Sequence, residues 1–433
     1  MENSAAPNRR TGNLRWWICT LLFLATMVNY LDRQTLSVAI PRIVEEFGLN
    51  NQDVAAINNA FNVAYMVGQL LTGKLIDIVG TRMGFLLVMI VWSAAGMLCA
   101  LARGALSLGI FRFILGLGEA GNWPVSVKAV SEWFPAKQRG LAVAYFSSAS
   151  GLGAMMAPFL IAQLILWSDW RWAFVVIGLT GFLWVPLWLW LYRSPREHRL
   201  ISPEELELIE KGQATEAASA AKPTGRRGML AEWAGLLRHR QVWGVFLVRF
   251  FSDSILWFYI QWLPKYFADE RGYSMEDIRD NLPWVFLPAI FTALFGGAAS
   301  GWLIGKGWDV GKARKTVMLV FGLMMTSSFG VGVVESDVMA LVLSTIALLA
   351  FYGYSVNTLT LPSDLFPPRL VASVSGLSGM GAGLGSVLFT YVVGVLADQQ
   401  SFTPVFFLVG CLPLCSLAML FLVMGRVKRI VAD

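Results

Sequence analysis

FRFILGLGEAGNWPVSVKAVSEWFP, residues 111–135, decides how the rest of the chain is read. The stretch reads as a membrane-spanning helix, yet it carries Arg112 and Glu119. A spacing of seven is two helical turns, so both side chains share one face. Gly116, Gly118 and Gly121 lie between and beside them and let a neighbouring backbone come close. Charges at membrane depth are costly and usually face a water-filled path or a partner. One reading is a buried ion pair that only fixes helix packing; the other, the default for such charges, is a functional site. Asp32 and Arg33, late in the first apolar span, form a second charged pair in the same half. Two such pairs suit an anion and a proton.

Working outward, the composition is that of a polytopic membrane protein. Of 433 residues, 56% are hydrophobic and 14% charged, against about 25% charged in a soluble chain. A span needs about 20 mostly apolar residues. Twelve are read, over 15–40, 53–76, 83–103, 105–132, 139–165, 171–192, 240–267, 282–305, 314–334, 337–362, 370–397 and 402–425. The long polar segment from Arg193 to Arg240 separates six spans from six. The expected units are an N-terminal lobe over 1–192, a central loop over 193–239 and a C-terminal lobe over 240–433. In the loop, Ser202 is a suitable N-cap for a short surface helix containing EELELIEK, and ATEAASAAKPTGRRG follows as a flexible linker.

Basic residues orient the chain. With the N-terminus inside, 24 Lys and Arg fall in inner segments and 6 in outer ones, with Arg33, Arg112, Lys128 and Arg249 at membrane depth. This asymmetry puts both termini and the central loop in the cytoplasm. The net charge of +6 belongs to those loops and is no sign of a nucleic-acid partner. The N-terminal MENSAAPNRRTGNLR shows no cleavable signal. Cys19, Cys99, Cys411 and Cys415 lie in apolar segments, and His198 and His239 in the polar middle, so neither a disulfide framework, a metal site nor an enzyme's nucleophile is read. No cofactor is expected. No GxxxxGK[ST] loop is present, which argues against ATP-driven transport.

The two halves repeat. Ser131-Glu132-Trp133-Phe134-Pro135 closes the fourth span, and Ser363-Asp364-Leu365-Phe366-Pro367 closes the tenth. GKLIDIVGTRMGFLLVMI from Gly73 follows the second span; GWLIGKGWDVGKARKTVMLV from Gly301 follows the eighth. Parallel repeats of six spans point to a two-lobed transporter with its site at the lobe interface.

On these residues the chain resembles the major facilitator superfamily over nearly its whole length. Gly73, Asp77, Gly80 and Arg82 match the signature loop between helices 2 and 3; the second copy keeps Gly301 and the basic cluster but has Gly305 in place of the acid. Within the superfamily it is similar to the anion:cation symporters, in particular bacterial hexuronate and galactonate carriers. The matching residues are Asn29-Tyr30-Leu31-Asp32-Arg33, Arg112 with Gly118-Glu119-Ala120, KAVSEWFPAKQR from Lys128, and RFFSDSILWFYIQWLPKYF from Arg249. The resemblance implies an all-α membrane protein of twelve transmembrane helices in two pseudo-symmetric six-helix lobes. It also implies proton-coupled uptake of a sugar acid across the bacterial inner membrane. Some hexuronate carriers lack the acid of the helix 1 motif, whereas this chain has Asp32, so hexuronates, aldonates and other monocarboxylates all stay open.

A sugar acid brings a carboxylate and several hydroxyls. The planar guanidinium fork is the best match for the carboxylate, and Arg33 and Arg112 are the candidates. Asp32 and Glu119 are the candidate proton-coupling acids: an arginine shared between a protein carboxylate and the substrate carboxylate couples the two. Candidate hydroxyl readers are Asn29 and Tyr30 on helix 1, and Asn58, Asn62 and Tyr65, spaced four and three, on helix 2. On helix 7, Asp253, Trp257 and Gln261 follow at spacings of four, although Trp257 also fits an interfacial aromatic belt. Asn357, Ser355 and Ser378 complete the set. Asp77 and Arg82 are the candidate gate, and Lys128 reads as a snorkelling residue. Expected partners are a sugar acid anion, protons and the bilayer, with the protein acting as a monomer. An organophosphate exchanger needs paired arginines but no titrating acid; a drug exporter needs an apolar cavity; a sensor needs an output domain.

Overall fold

The computed structural model describes residues 12–217, 235–366, 368–399 and 401–425. The Asp77 side chain and most of the linker after residue 217 lie outside the described residues. The N-terminal lobe comprises α1 (Leu14–Phe47), α2 (Asn51–Leu98), α3 (Ala105–Glu119), α4 (Asn122–Trp133), α5 (Ala136–Trp167) and α6 (Trp170–Leu191). After α7 (Pro203–Ala217) the second lobe holds α8 (Arg240–Arg271), α9 (Met275–Gly305), α10 (Val310–Met325), α11 (Ser328–Val331), α12 (Asp337–Leu365), α13 (Pro368–Gln399) and α14 (Phe402–Ala418). Each lobe crosses the membrane six times. Helix α2 makes two of these passes, turning at Gly80, whose φ of 80° favours glycine.

Among the described residues, eight helical segments are long and apolar enough to span on their own. The other passes are the first half of α2, the α3–α4 pair, α9 and the α10–α11 pair. The first two carry Asn58, Asn62, Arg112 and Glu119, which lowers their apolar content. The fourth expected span is α3 and α4 in line: Ala120 and Gly121, directly after Glu119, keep right-handed helical angles, and the turn tightens there, with the Gly121 N–H bonding the Gly118 carbonyl at 3.2 Å. Its glycines seat it against α2. A Cβ on Gly116 would lie 2.6 Å from the Phe61 carbonyl oxygen, and one on Gly118 would lie 2.8 Å from the Trp92 backbone nitrogen. Replacing either by alanine would force the helices apart.

Ion pairs and caps gather the termini at one end. Arg15 at the start of α1 bonds Glu205 of α7 at 2.8 Å. Arg240 at the start of α8 donates to the carbonyls of Leu422 and Val423 beyond α14 at 2.8 and 2.9 Å. The lobes meet along α1–α8, α2–α13 and α5–α9. At the far end, Asp398 on α13 accepts from the backbone N–H of Asn51 at 2.7 Å and of Gln52 at 3.0 Å. It thereby caps the first turn of α2 from the other lobe, where the free N–H groups and the helix dipole favour an anion. Gly394, one turn earlier, permits the approach, since a Cβ there would lie 2.5 Å from Ala55 Cβ. Arg279 of α9 donates to Gln163 of α5 at 3.1 Å at the same end. These lobe-to-lobe contacts continue inward as far as Trp257.

Candidate functional site

Asp32 and Arg33 are adjacent on α1, about 100° apart around the helix, so they face different neighbours. Arg33 turns to the lobe interface. Its Nε and Nη2 donate to Glu119 Oε2 at 3.1 and 3.0 Å, and Nη2 reaches Asn29 Oδ1, one turn earlier, at 3.4 Å. The guanidinium lies 5.0 Å from the Tyr30 ring centre, 4.7 Å from Tyr65, 5.6 Å from Phe61 and 5.0 Å from Trp257. Three walls of this aromatic box belong to the first lobe, and Trp257 closes it from the second. Trp257 is therefore no interfacial belt residue. Asp32 turns instead toward the second half of α2: a Cβ on Gly96 would lie 3.2 Å from its Oδ1, and its Oδ2 has no hydrogen-bond partner.

Arg112 stacks on the other side of the cluster, 4.4 Å from the Phe61 ring centre. Its Nε and Nη1 are buried without partners, as is Glu119 Oε1. Asp32, Arg33, Arg112 and Glu119 are 3, 4, 1 and 0% exposed, so all four charges are withdrawn from bulk water. A buried cation with idle donors is costly. The idle edge of Arg112 thus marks a place for water or an anion.

Around this cluster lie amides with polar atoms to spare. Gln261 Nε2 donates to Asn62 Oδ1 across the lobe boundary at 3.0 Å, and Thr390 Oγ1 donates to Gln261 Oε1 at 3.2 Å. Asn62 Nδ2, Asn58 Oδ1 and Asn29 Nδ2 have no partner. Asp253 lies further along α8, accepting from Arg249 Nε and Nη2 at 2.9 and 2.7 Å; Arg249 Nη1 donates to Ser378 Oγ at 3.2 Å. An i,i+4 ion pair contributes only about 0.2–0.5 kcal/mol to a helix. An arginine at the bilayer centre costs about 2.5–3.5 kcal/mol.

Other expected site residues stand apart. Asn357 accepts from Arg314 Nη1 at 3.3 Å and donates to the Gly296 and Gly353 carbonyls at 3.1 and 3.0 Å, so its amide knits α9, α10 and α12. Arg82 Nη2 donates to the Leu189 carbonyl at 2.6 Å near the end of α6; its expected partner Asp77 has no described side chain. Lys128 Nζ donates to the Ile76 carbonyl at 3.2 Å. The sequence reading passed over Phe61, Thr390 and the role of Arg249. Phe61 sits one turn from both Asn58 and Tyr65, and Arg249 extends the Asp253–Trp257–Gln261 stripe by one step; both signals were there to use. Among the described residues no cluster of His, Cys, Asp and Glu could hold a metal ion.

Comparison with known proteins agrees with this architecture. The Major Facilitator Superfamily model matches residues 22–390. The hexuronate transporter of Escherichia coli (strain K12) is 33% identical over 403 residues, covering 92% of this chain and 91% of that protein. The D-galactonate transporter of Escherichia coli O6:H1 is 31% identical over 431 residues, covering 99% of each. The inward-open structure of the xylose transporter XylE from E. coli superposes with a TM-score of 0.74 at 14% identity, covering 96% of this chain and 97% of that one. With twelve passes in two lobes and buried charges at their boundary, the chain belongs to the Major Facilitator Superfamily, a multi-pass membrane transporter and not an enzyme.

Proposed function

We propose that this protein imports a sugar acid monocarboxylate, a hexuronate or an aldonate, together with protons by alternating access. Its place is the bacterial inner membrane, with both termini in the cytoplasm, and it works as a monomer. The observation that carries the reading is the shared guanidinium: Arg33 is engaged by Glu119 through one oxygen while Arg112 beside it has donors to spare. The sugar acid relatives at about one-third identity support the substrate class.

The cluster holds two cations and two acids. With both acids ionised it is neutral; with one protonated it carries one positive charge, which an anion neutralises. The substrate carboxylate takes Arg112 and the Arg33 edge, and Glu119, released from Arg33, holds the proton. When the proton leaves on the cytoplasmic side, the Glu119 carboxylate reclaims Arg33 and expels the anion. Asp32 carries the second proton-coupling role from the far side of α1. Asn29, Tyr30, Asn58, Asn62, Tyr65, Trp257 and Gln261 read the hydroxyls, with Asp253 on α8 and Ser378 on α13 one level further out. Asn357 leaves the set, because its polar atoms are engaged within its own lobe. Arg82 and Asp77 form the gate. An organophosphate exchanger would use the arginines alone; two acids buried beside them favour the coupled reading.

The test is thermal stabilisation of the purified protein by a panel of hexuronates, aldonates and hexarates. A ligand at 100 times its Kd stabilises the folded state by about 2.7 kcal/mol. Uptake in proteoliposomes under an imposed pH gradient then reads coupling. If no sugar acid raises the Tm, the substrate class is wrong; if uptake ignores the gradient, the coupling is.

A further inference from the structure

We propose that Arg249 is a second anion site, a station for the substrate carboxylate between the central cluster and the termini end of the lobe boundary. The inference rests on the proposed sugar acid substrate. Arg249, Asp253, Trp257 and Gln261 follow one another at spacings of four on α8. Trp257 lies 5.0 Å from the Arg33 guanidinium. Eight residues of helix carry the stripe about 12 Å further, toward the end of α8 that holds the termini.

The pair on α8 repeats the geometry of the central one. In each, Nε and Nη2 of an arginine converge on a single carboxylate oxygen: Glu119 Oε2 for Arg33, Asp253 Oδ2 for Arg249. Each arginine therefore keeps an edge that the acid does not cover, because guanidinium has five N–H donors. Beside Arg249 the wall is α13, where Gly379 offers only backbone, and a Cβ on Gly376 would meet nothing within 4 Å. The two sites differ in access. Arg33 is 4% exposed, whereas the Arg249 side chain is 19% exposed. The pair lies within one helix and joins no two elements, apart from the single bond to Ser378. A station that water reaches binds weakly and releases quickly, which suits an exit.

D-glucuronate and D-galactonate serve as probes, in proteoliposomes for transport and in detergent for thermal stabilisation. Arg249→Ala should leave stabilisation by the better probe within about twofold while lowering turnover about tenfold, since only the step after central binding is impaired. Arg249→Lys keeps the charge without the planar fork and should fall between. A reporter cysteine at Ser378→Cys, in a Cys411→Ser, Cys415→Ser background that keeps only the buried Cys19 and Cys99, should be protected from a thiosulfonate reagent by the same probe, and Arg249→Ala should abolish that protection. Parental turnover with protection intact in Arg249→Ala overturns the station. So does a loss of central binding as large as the loss of turnover, which would mean that Arg249 only props α8 against α13. Failure of the unmodified protein to take up any sugar acid would overturn the underlying reading, and the station with it; that outcome is distinct from uptake that Arg249→Ala does not change.

Discussion

In the first lobe Asp32, Arg33, Arg112 and Glu119 are buried to within a few per cent of completeness, and four of their polar atoms, with one each on Asn29, Asn58 and Asn62, stand without partners. In the second lobe three arginines are settled within the lobe: Arg249 with Asp253, Arg271 with Asp337, and Arg314 with Asp364 and Ser300. Across the repeat Glu132 and Asp364 stand at equivalent places: Glu132 accepts from Thr81 at 2.6 Å and from Tyr192, and Asp364 accepts from Arg314 at 3.2 Å. The same six-pass plan thus carries an unsatisfied charge cluster in one copy and satisfied pairs in the other. Unsatisfied groups are where a ligand gains most, since its contacts replace none made inside the protein. On the proposed reading the first lobe is the chemical half, and the second supplies a lid, Trp257, an amide, Gln261, and the outlying Arg249 station.

The largest effect should come from the idle donors. Arg112→Lys keeps the charge but loses the fork; with about 1.5–3 kcal/mol for a hydrogen bond to a charged group, binding should weaken by at least tenfold in calorimetry. Parental affinity would put the carboxylate clamp outside the first lobe and end the contrast. Next, Glu119→Gln mimics a permanently protonated acid. It should bind and exchange substrate across the membrane yet lose accumulation driven by a pH gradient; full accumulation in proteoliposomes would remove Glu119 from the coupling.

The lid should matter less. Trp257→Ala removes one wall of the box around Arg33, and a cation–π contact contributes about 0.5–2 kcal/mol. Affinity should fall about two- to thirtyfold on that scale. A larger loss would mean that the second lobe holds the substrate as firmly as the first. The smallest shift is expected at the far end. Asp398→Asn keeps the shape of the cap on α2 but drops its charge, a change of about 0.3–1 kcal/mol. Labelling of single cysteines at the two ends should show the far end opening two- to fivefold more often; unchanged labelling would mean that the cap does not bias the lobes.

Twelve passes and a two-lobed plan were legible because long apolar windows and a repeated pentapeptide survive without any contact information. The tightened turn after Glu119 was not legible: glycines in a membrane helix announce close packing, as of Gly118 on Trp92, and a distorted turn in the same letters. The adjacency of Asp32 and Arg33 dictated different faces, yet which one meets the second lobe depends on Trp257, more than two hundred residues away. Phe61 looked like any apolar residue until both guanidinium groups were found on its ring. Asn357 looked like a ligand amide because its partners Arg314 and Gly296 lie on other helices.

The Asp398 cap sits at a water-exposed margin, and this sets how the machine idles. In the alternating access proposed above, lobes swinging apart there would let the carboxylate trade two polar partners for water, and the two amides of α2 one each, with no charge stranded in the membrane. The contact is therefore closer to a magnet on a cupboard door than to a bolt. A contact of this kind adds little to the step between the conformers of that cycle, and the smaller the step, the smaller the difference in ligand affinity that inverts the traffic between them.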